Sequence, residues 1–514
     1  MNIKDLLAKG YFPKELPPPF HTQTYATFIH DKISVINNEF ISNPAIHNLA
    51  RPGNQRRVLS IPHPLNYFNL SKLIADNWLT IQEHCNKSKL SISTPIIDTK
   101  GFRSIQPKFD GGSLPKNRSA IRSMSKYVLR IDISRFYPSI YSHSIPWALS
   151  TKAIAKRVRR GGFANDLDLL LRNSQDAQTL GIPVGPDISF IVAEIVATSV
   201  DVILQQYNLK GFRFIDDFEF VFYSRSEAEQ ALPKIESALQ EFELALNPNK
   251  TFIDELPINI DKPWTSQIKN FDFGMHPNAS KFFQYFDLLF LLYNDNRKEP
   301  ILSYGISRLD SLDSFDPVLG DLLLQCINIE PGTLTEVLQL CDIHEISIDD
   351  ENFKIVLFNM IEYHGAMKHG SEVAWALWTC IFKKYKIPEK YVESIMHFED
   401  NIVALLGCHA CSLKLLSEKA LEHWKSLMTV DSLKNRNWLL AYEADIKGWL
   451  PSIDISNHVN SDPFFYLLKQ NNVSFYNTGV SKIVLDKNVN DPYKNKQNKI
   501  IFINANDYND DLPF

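Results

Sequence analysis

The chain has no uninterrupted run of about 18 apolar residues, the length a helix needs to cross a bilayer, so no membrane partner is expected. Its opening, MNIKDLLAKGYFPKELPPPF, also lacks a long apolar stretch before its prolines, and the expectation is a soluble cytoplasmic protein. Cysteine is scarce: six in 514 residues do not make a disulfide framework, which fits a reducing compartment. Only Cys408 and Cys411 stand at a CxxC spacing. With no second pair nearby, and set inside NIVALLGCHACSLKLL, they read as buried helical thiols rather than half of a zinc site. No strict internal repeat is visible, and the net charge of −5 gives no overall attraction to a polyanion.

What is present is an ordinary globular composition, 44% hydrophobic and 22% charged, in a chain long enough to divide into two or more domains. The positive charge is local. Residues 101–160 hold thirteen Lys and Arg against Asp110 and Asp132, a balance of +11 that leaves −16 for the rest. A polyanion-facing surface is therefore confined to one region.

Residues 1–55 suggest irregular structure with one helix around TYATFIHDKISVINNEF. RVLSIPHP reads as a strand, Leu70, Leu73, Ile74, Trp78 and Leu79 recur at helical spacing, and GFRSIQPKFDGGSLPKNRS reads as a Gly/Pro/basic loop. In YVLRIDI, Tyr127, Leu129, Ile131 and Ile133 face one side and Val128, Arg130, Asp132 and Ser134 the other. After the turn GIPVGP, Asp187 is placed to cap a long apolar helix. FRFIDDFEFVFY reads as two strands around an Asp-Asp turn. Ser226 and Glu229 then read as a capping box, and Pro233 as a kink or restart of the following helix. From about residue 290 successive amphipathic segments predict an all-α region, of stacked helix pairs. The expected division is 1–285 as an α+β domain, 286–480 as a helical domain and 481–514 as a polar tail in which IIFIN could pair as a strand.

The carboxylates carry the chemistry. Phosphoryl transfer to a hydroxyl uses two divalent cations, which require oxygen ligands converging from different strands. Asp132 at a strand end and Asp216 at a hairpin turn offer that convergence, with Asp217 adding charge. Tyr137 stands five positions after Asp132, the place where in polymerases an aromatic ring can lie under the sugar and exclude a 2′-hydroxyl; Phe136 precedes it. Lys250 can protonate a departing pyrophosphate. Arg118, Arg122 and Lys126 fit either a triphosphate contact or a solvated face. Lys156, Arg157, Arg159 and Arg160 fit either a phosphate backbone or a surface helix.

RIDISRFYPSIY, GIPVGPDIS, FIDDFEFVF and LNPNKT closely resemble, in family order, four motifs of the reverse transcriptases. The resemblance spans roughly residues 50–260, with Asp132 and Asp216 84 positions apart. It implies an α+β fingers and palm fold, a nucleotidyltransferase (DNA polymerase) activity, and Mg²⁺ (or Mn²⁺) held by Asp132, Asp216 and the Ile133 backbone carbonyl. It also places Pro183 and Gly185 at the nucleotide. Two departures stand out: the family's usual Pro-Gln-Gly is Pro183-Val184-Gly185, and the usual Tyr of the third motif is Phe214. The Val-Gly-Pro form, and HGSEVAWALW in the helical region, resemble the abortive-infection (Abi) group of bacterial defence reverse transcriptases, whose palm is followed by a HEAT-like helical domain. That likeness implies untemplated synthesis from deoxynucleoside triphosphates, primed by a protein hydroxyl. The single-stranded DNA product would be attached to a tyrosine, in a bacterial, cytoplasmic homo-oligomer that aborts phage infection. Tyr11 and Tyr25 are early primer candidates, set against the reading, favoured among 19 tyrosines, that either is merely packed or exposed. A templated reverse transcriptase of a retron-like element and a non-catalytic palm scaffold are the competing readings; no ribonuclease H, integrase or maturase signature follows the palm.

Overall fold

The computed structural model describes residues 1–29, 39–99, 103–109 and 111–480. Among the described residues the strands are β1 (Ala45–Arg51), β2 (Gln55–Ile61), β3 (Pro95–Ile97), β4 (Ile105–Pro107), β5 (Tyr127–Asp132), β6 (Gly211–Phe214), β7 (Asp217–Phe222) and β8 (Phe252–Glu255). The last four form one antiparallel sheet in the order β6-β7-β5-β8. The strand alternation read in YVLRIDI decides its two faces. Leu129 and Ile131 lie opposite Phe220 and Phe218, whose rings stack at 5.7 Å, and the helix Arg225–Gln240 packs on this sheet. Each buried Phe contributes about 2 kcal/mol. The other face carries Asp132 opposite Asp217 and Arg130 opposite Glu219.

Beyond the palm the chain is helical, as expected. The helices Asp350–Ala366, Gly370–Lys383, Asn401–Ser412 and Trp438–Ile446 pack each on the next. The helix Ala279–Asp295 runs across residue 285 without a break. The N-terminal segment returns to the helical region: the amide of His21 donates to Phe475 (3.1 Å), Trp375 Nε1 to Glu15 (3.2 Å) and Trp438 Nε1 to Ile61 (3.1 Å). Among the described residues no helix is long and apolar enough to cross a membrane.

Several local expectations are corrected. The capping box is Ser224 with Glu227, not Ser226 with Glu229. The Ser-x-x-Glu spacing occurs twice, and the upstream copy wins because β7 ends at Phe222 and the buried stripe begins at Ala228. Pro233 lies inside a continuous helix; it sits on the exposed side, and the Glu229 residue whose carbonyl loses its donor is also exposed, so water can replace the bond. Asp187 is the first helical residue rather than the cap, which is Pro186. Its carboxylate instead accepts from Arg103, the Ser104 amide (2.9 Å) and the Ile105 amide (3.2 Å). The segment read as a loop after residue 100 contains β4 and the helix Leu114–Arg122. Of the predicted helix at 24–40, the structure gives Gln23–Ile29; the rest falls mostly outside the described residues, as does the whole 481–514 tail with its predicted strand.

Candidate active site

Asp132 ends β5 and is buried, 1% exposed. Its Oδ1 accepts from Asn247 Nδ2 at 2.8 Å and its Oδ2 from Lys250 Nζ at 3.0 Å. Its carbonyl accepts from the Asn247 amide at 2.8 Å, so the LNPNKT segment is laid along the strand end by backbone and side chain together. The Ile133 amide donates to the Asp216 carbonyl at 3.3 Å, bringing the hairpin turn to the same strand end. Asp217 stands opposite Asp132 in register. The three aspartates singled out in the sequence are thus gathered at one corner of the sheet.

The turn itself is strained and braced. Ile215 has φ of 58°, a left-handed conformation that a β-branched residue rarely adopts. Its amide donates to Ser93 Oγ at 2.7 Å and its carbonyl accepts from Arg213 Nη1 at 2.6 Å. Arg213 is wholly buried and is held by Glu194 (2.8 Å) and Asp201 (2.6 Å) of the helix Asp187–Gln206. Arg213, Glu194, Asp201, Ser93 and Asn247 were not picked out from the sequence as supports of this corner.

Asp216 is 0% exposed, and neither carboxylate oxygen has a hydrogen-bond partner. Burial first, then the charges of Asp217 and Asp132, push its carboxyl well above the ordinary carboxylate range. Oxygen donors clustered around a bare buried carboxylate suit a hard divalent cation, whose positive charge would oppose that shift.

Tyr137 is buried in the short helix Phe136–Ser139; burial and then the Asp216 carboxylate raise its phenol. Phe136 is also buried, its ring 5.8 Å from that of Tyr137. The GIPVGP turn clasps this helix: the Ile182 amide donates to the Tyr137 carbonyl at 3.1 Å and that of Gly181 to Ile140 at 2.8 Å. Pro183 is buried beside them. Gly185 has φ of 121°, and an added Cβ would meet Pro13 Cγ at 2.6 Å, so the N-terminal segment lies directly on this turn. Val184 accepts from the Ser60 amide at 2.8 Å.

Arg118 and Arg122 are both turned onto Glu219, the latter at 2.7 Å, on the sheet face that carries Asp132 and Asp217. Lys156, Arg157, Arg159 and Arg160 are exposed. Cys408 and Cys411 are buried free thiols, as read; burial pushes the Cys411 thiol up to about 12.

Of the two readings of the early tyrosines, the structure gives the packed one. Tyr11 and Tyr25 are 0% exposed and donate their hydroxyls to the carbonyls of Pro62 (2.6 Å) and Pro64 (2.7 Å). Tyr11 also stacks on Tyr67 at 4.0 Å. Burial raises both phenols well above their ordinary range, so in this fold neither is a reachable nucleophile.

Residues 63–270 match the family model described as reverse transcriptase (RNA-dependent DNA polymerase). No curated protein matches the chain. Among solved structures, apo telomerase from Candida tropicalis truncated from its C-terminal domain is 14% identical, with a TM-score of 0.31 over 44% of this chain and 52% of that one. This chain thus spans about half the length of that relative. Apo telomerase from Candida tropicalis is 12% identical, with a TM-score of 0.32 over 75% and 73% of the two chains. Telomerase from Candida albicans in complex with a TWJ fragment of telomeric RNA is 12% identical, with a TM-score of 0.30 over 79% and 68%. The matched span, residues 63–270, contains all four motifs read from the sequence and is similar to a reverse transcriptase domain.

Proposed function

We propose that the chain is a DNA polymerase whose Asp132, Asp216 and Asp217 hold Mg²⁺ or Mn²⁺, and that it extends DNA without copying a conventional template. The observation that carries the catalytic reading is the buried, unpartnered Asp216 carboxylate beside two further aspartates. Bound cations supply activation of the attacking hydroxyl and neutralise the leaving pyrophosphate. The remaining roles belong to the chain's own side chains. Asn247 fixes the Asp132 carboxylate, and Lys250, whose side chain is 48% exposed, has the reach to pass a proton to the departing pyrophosphate. Tyr137, whose carbonyl is held by the Ile182 amide and whose phenol is influenced by the Asp216 charge, is the ring that reads the sugar of an incoming nucleotide in this proposal. Pro183 and Gly185 line the same nucleotide, and the Ile133 carbonyl completes the metal ligands. Arg118 and Arg122 lie on the same face, paired with Glu219, and would exchange that partner for the triphosphate.

The untemplated reading rests on Val184 in place of the usual Gln and on Pro13 packed against Gly185, where the family supports its template. A protein hydroxyl then serves as primer, and the resemblance to the Abi group makes the chain a homo-oligomeric agent of abortive phage infection.

The test is to incubate the purified protein with deoxynucleoside triphosphates and Mg²⁺, with and without added RNA or DNA template. Incorporation without template is expected, with mass spectrometry showing DNA bound to the protein. Strict dependence on template would instead favour the retron-like reading, and no incorporation in either arm would favour the scaffold.

A further inference from the structure

The helical region contains a second cluster of metal-ligating side chains, away from the palm aspartates in sequence. A tight turn through Lys368, at φ of 57°, joins the helix Asp350–Ala366 to the helix Gly370–Lys383. It brings His364 of the first helix against His369 at the start of the second, their Nδ1 atoms 2.9 Å apart. Glu372 lies one turn into the second helix, its Oε1 at 3.5 Å from His364 Nδ1 and 3.7 Å from His369 Nδ1.

A network of hydrogen bonds explains only part of this. One shared proton satisfies the 2.9 Å contact between the two imidazoles. The 3.5 and 3.7 Å separations from Glu372 are too long for hydrogen bonds, yet one carboxylate oxygen faces both ring nitrogens. A tetrahedral zinc ion, with ligand bonds of about 2.0–2.1 Å, holds its donor atoms roughly 3.3–3.4 Å apart, a spacing that the three observed separations bracket. A single ion at their centre engages all three atoms at once.

Arg56 of β2 donates two bonds to Glu372, one of them at 2.9 Å, which leaves the carboxylate lone pairs for an ion. Asp400, held by His47 Nδ1 at 2.8 Å, lies against the Gly370 backbone, 2.2 Å from the position of an added Cβ. His369 is partly exposed, giving an ion a way in.

The geometry points to a site for a zinc-class divalent cation, with His364, His369 and Glu372 as ligands and a fourth position open to water. Imidazole and carboxylate donors suit such borderline ions, in contrast to the oxygen-only set at the palm. Because Arg56 ties Glu372 to β2, an ion here would also clasp the β1–β2 hairpin to the helical region.

The experiment uses the full chain and the metal alone. Zinc(II) is added to metal-free protein, excess is removed, and bound zinc is measured by elemental mass spectrometry; cobalt(II) is then titrated and its visible ligand-field bands recorded. Expected are a single zinc per chain, cobalt bands typical of four-coordinate nitrogen and oxygen ligation, and their loss when one equivalent of zinc is added. His369→Ala should weaken zinc binding by more than the roughly 10–100-fold that loss of an outer partner costs. His364→Ala should do the same while circular dichroism reports an unchanged fold. Absence of stoichiometric zinc and of cobalt bands in the folded wild type would overturn the site, and so would zinc retained in full by both variants.

Discussion

Two buried ionic groups of the β6–β7 hairpin, Arg213 and Asp216, are treated in opposite ways. Arg213 is matched by Glu194, Asp201 and the Ile215 carbonyl, with hydrogen bonds on all three guanidinium nitrogens. Asp216, three residues later, is equally buried and has none. Burying a charge is costly unless it is paired and hydrogen-bonded. A fold that satisfies Arg213 so fully has the means to satisfy a carboxylate. Leaving Asp216 bare among two other aspartates makes sense if something from outside the chain completes it. Arg213 is a structural charge that aims the turn; Asp216 is the charge the turn presents.

The sharpest way to break this contrast is to delete each charge in turn. Asp216→Ala is expected to abolish nucleotide incorporation while leaving the unfolding midpoint unchanged or raised, since an unsatisfied group is lost; urea unfolding beside an incorporation assay checks both halves. Arg213→Met is expected to destabilise by about 3–5 kcal/mol, because it strands two buried carboxylates. Next in size, Lys250→Ala should slow incorporation by roughly 10²–10⁴-fold at nearly unchanged stability if the lysine acts as general acid, read from single-turnover rates. A smaller effect tests the brace: Ser93→Ala, which unpairs the Ile215 amide, should cost about 1–3 kcal/mol.

The contrast also predicts a pH dependence. The folded-state pKa of Asp216 is raised, so the folded protein retains a proton that the unfolded chain releases near pH 4. The contribution of Asp216 is thus most favourable below that point and declines as pH rises toward the folded pKa. The difference in stability between wild type and Asp216→Ala, followed upward from about pH 4 without divalent cations, should move against the wild type.

How much of this was legible in the sequence follows from how local each signal is. Asp132, Tyr137, Asp216, Asp217 and Lys250 lie in short contiguous motifs, and the strand alternation around Asp132 is a period-two pattern that the sheet follows. Arg213 was missed because its meaning lies in another element. The available signal was Glu194 and Asp201, seven residues apart on one face of an otherwise apolar helix, where buried acids call for a base. Asn247 stood inside a motif already noted, yet its role depends on the chain returning to β5 more than a hundred residues later. The capping box was displaced by two residues because two identical spacings compete, and only the end of β7 selects between them. Tyr11 and Tyr25 could not be judged from sequence, since a tyrosine in a polar segment carries no mark of whether its ring is buried.

The central claim, that Asp216 is left unpaired for a cation, is most directly tested by thermal unfolding of wild type and Asp216→Ala with rising Mn²⁺. The account predicts a midpoint that climbs with Mn²⁺ in the wild type, as binding to the folded state requires, and a flat response in the variant. Equal shifts in both proteins, or none in either, would contradict it.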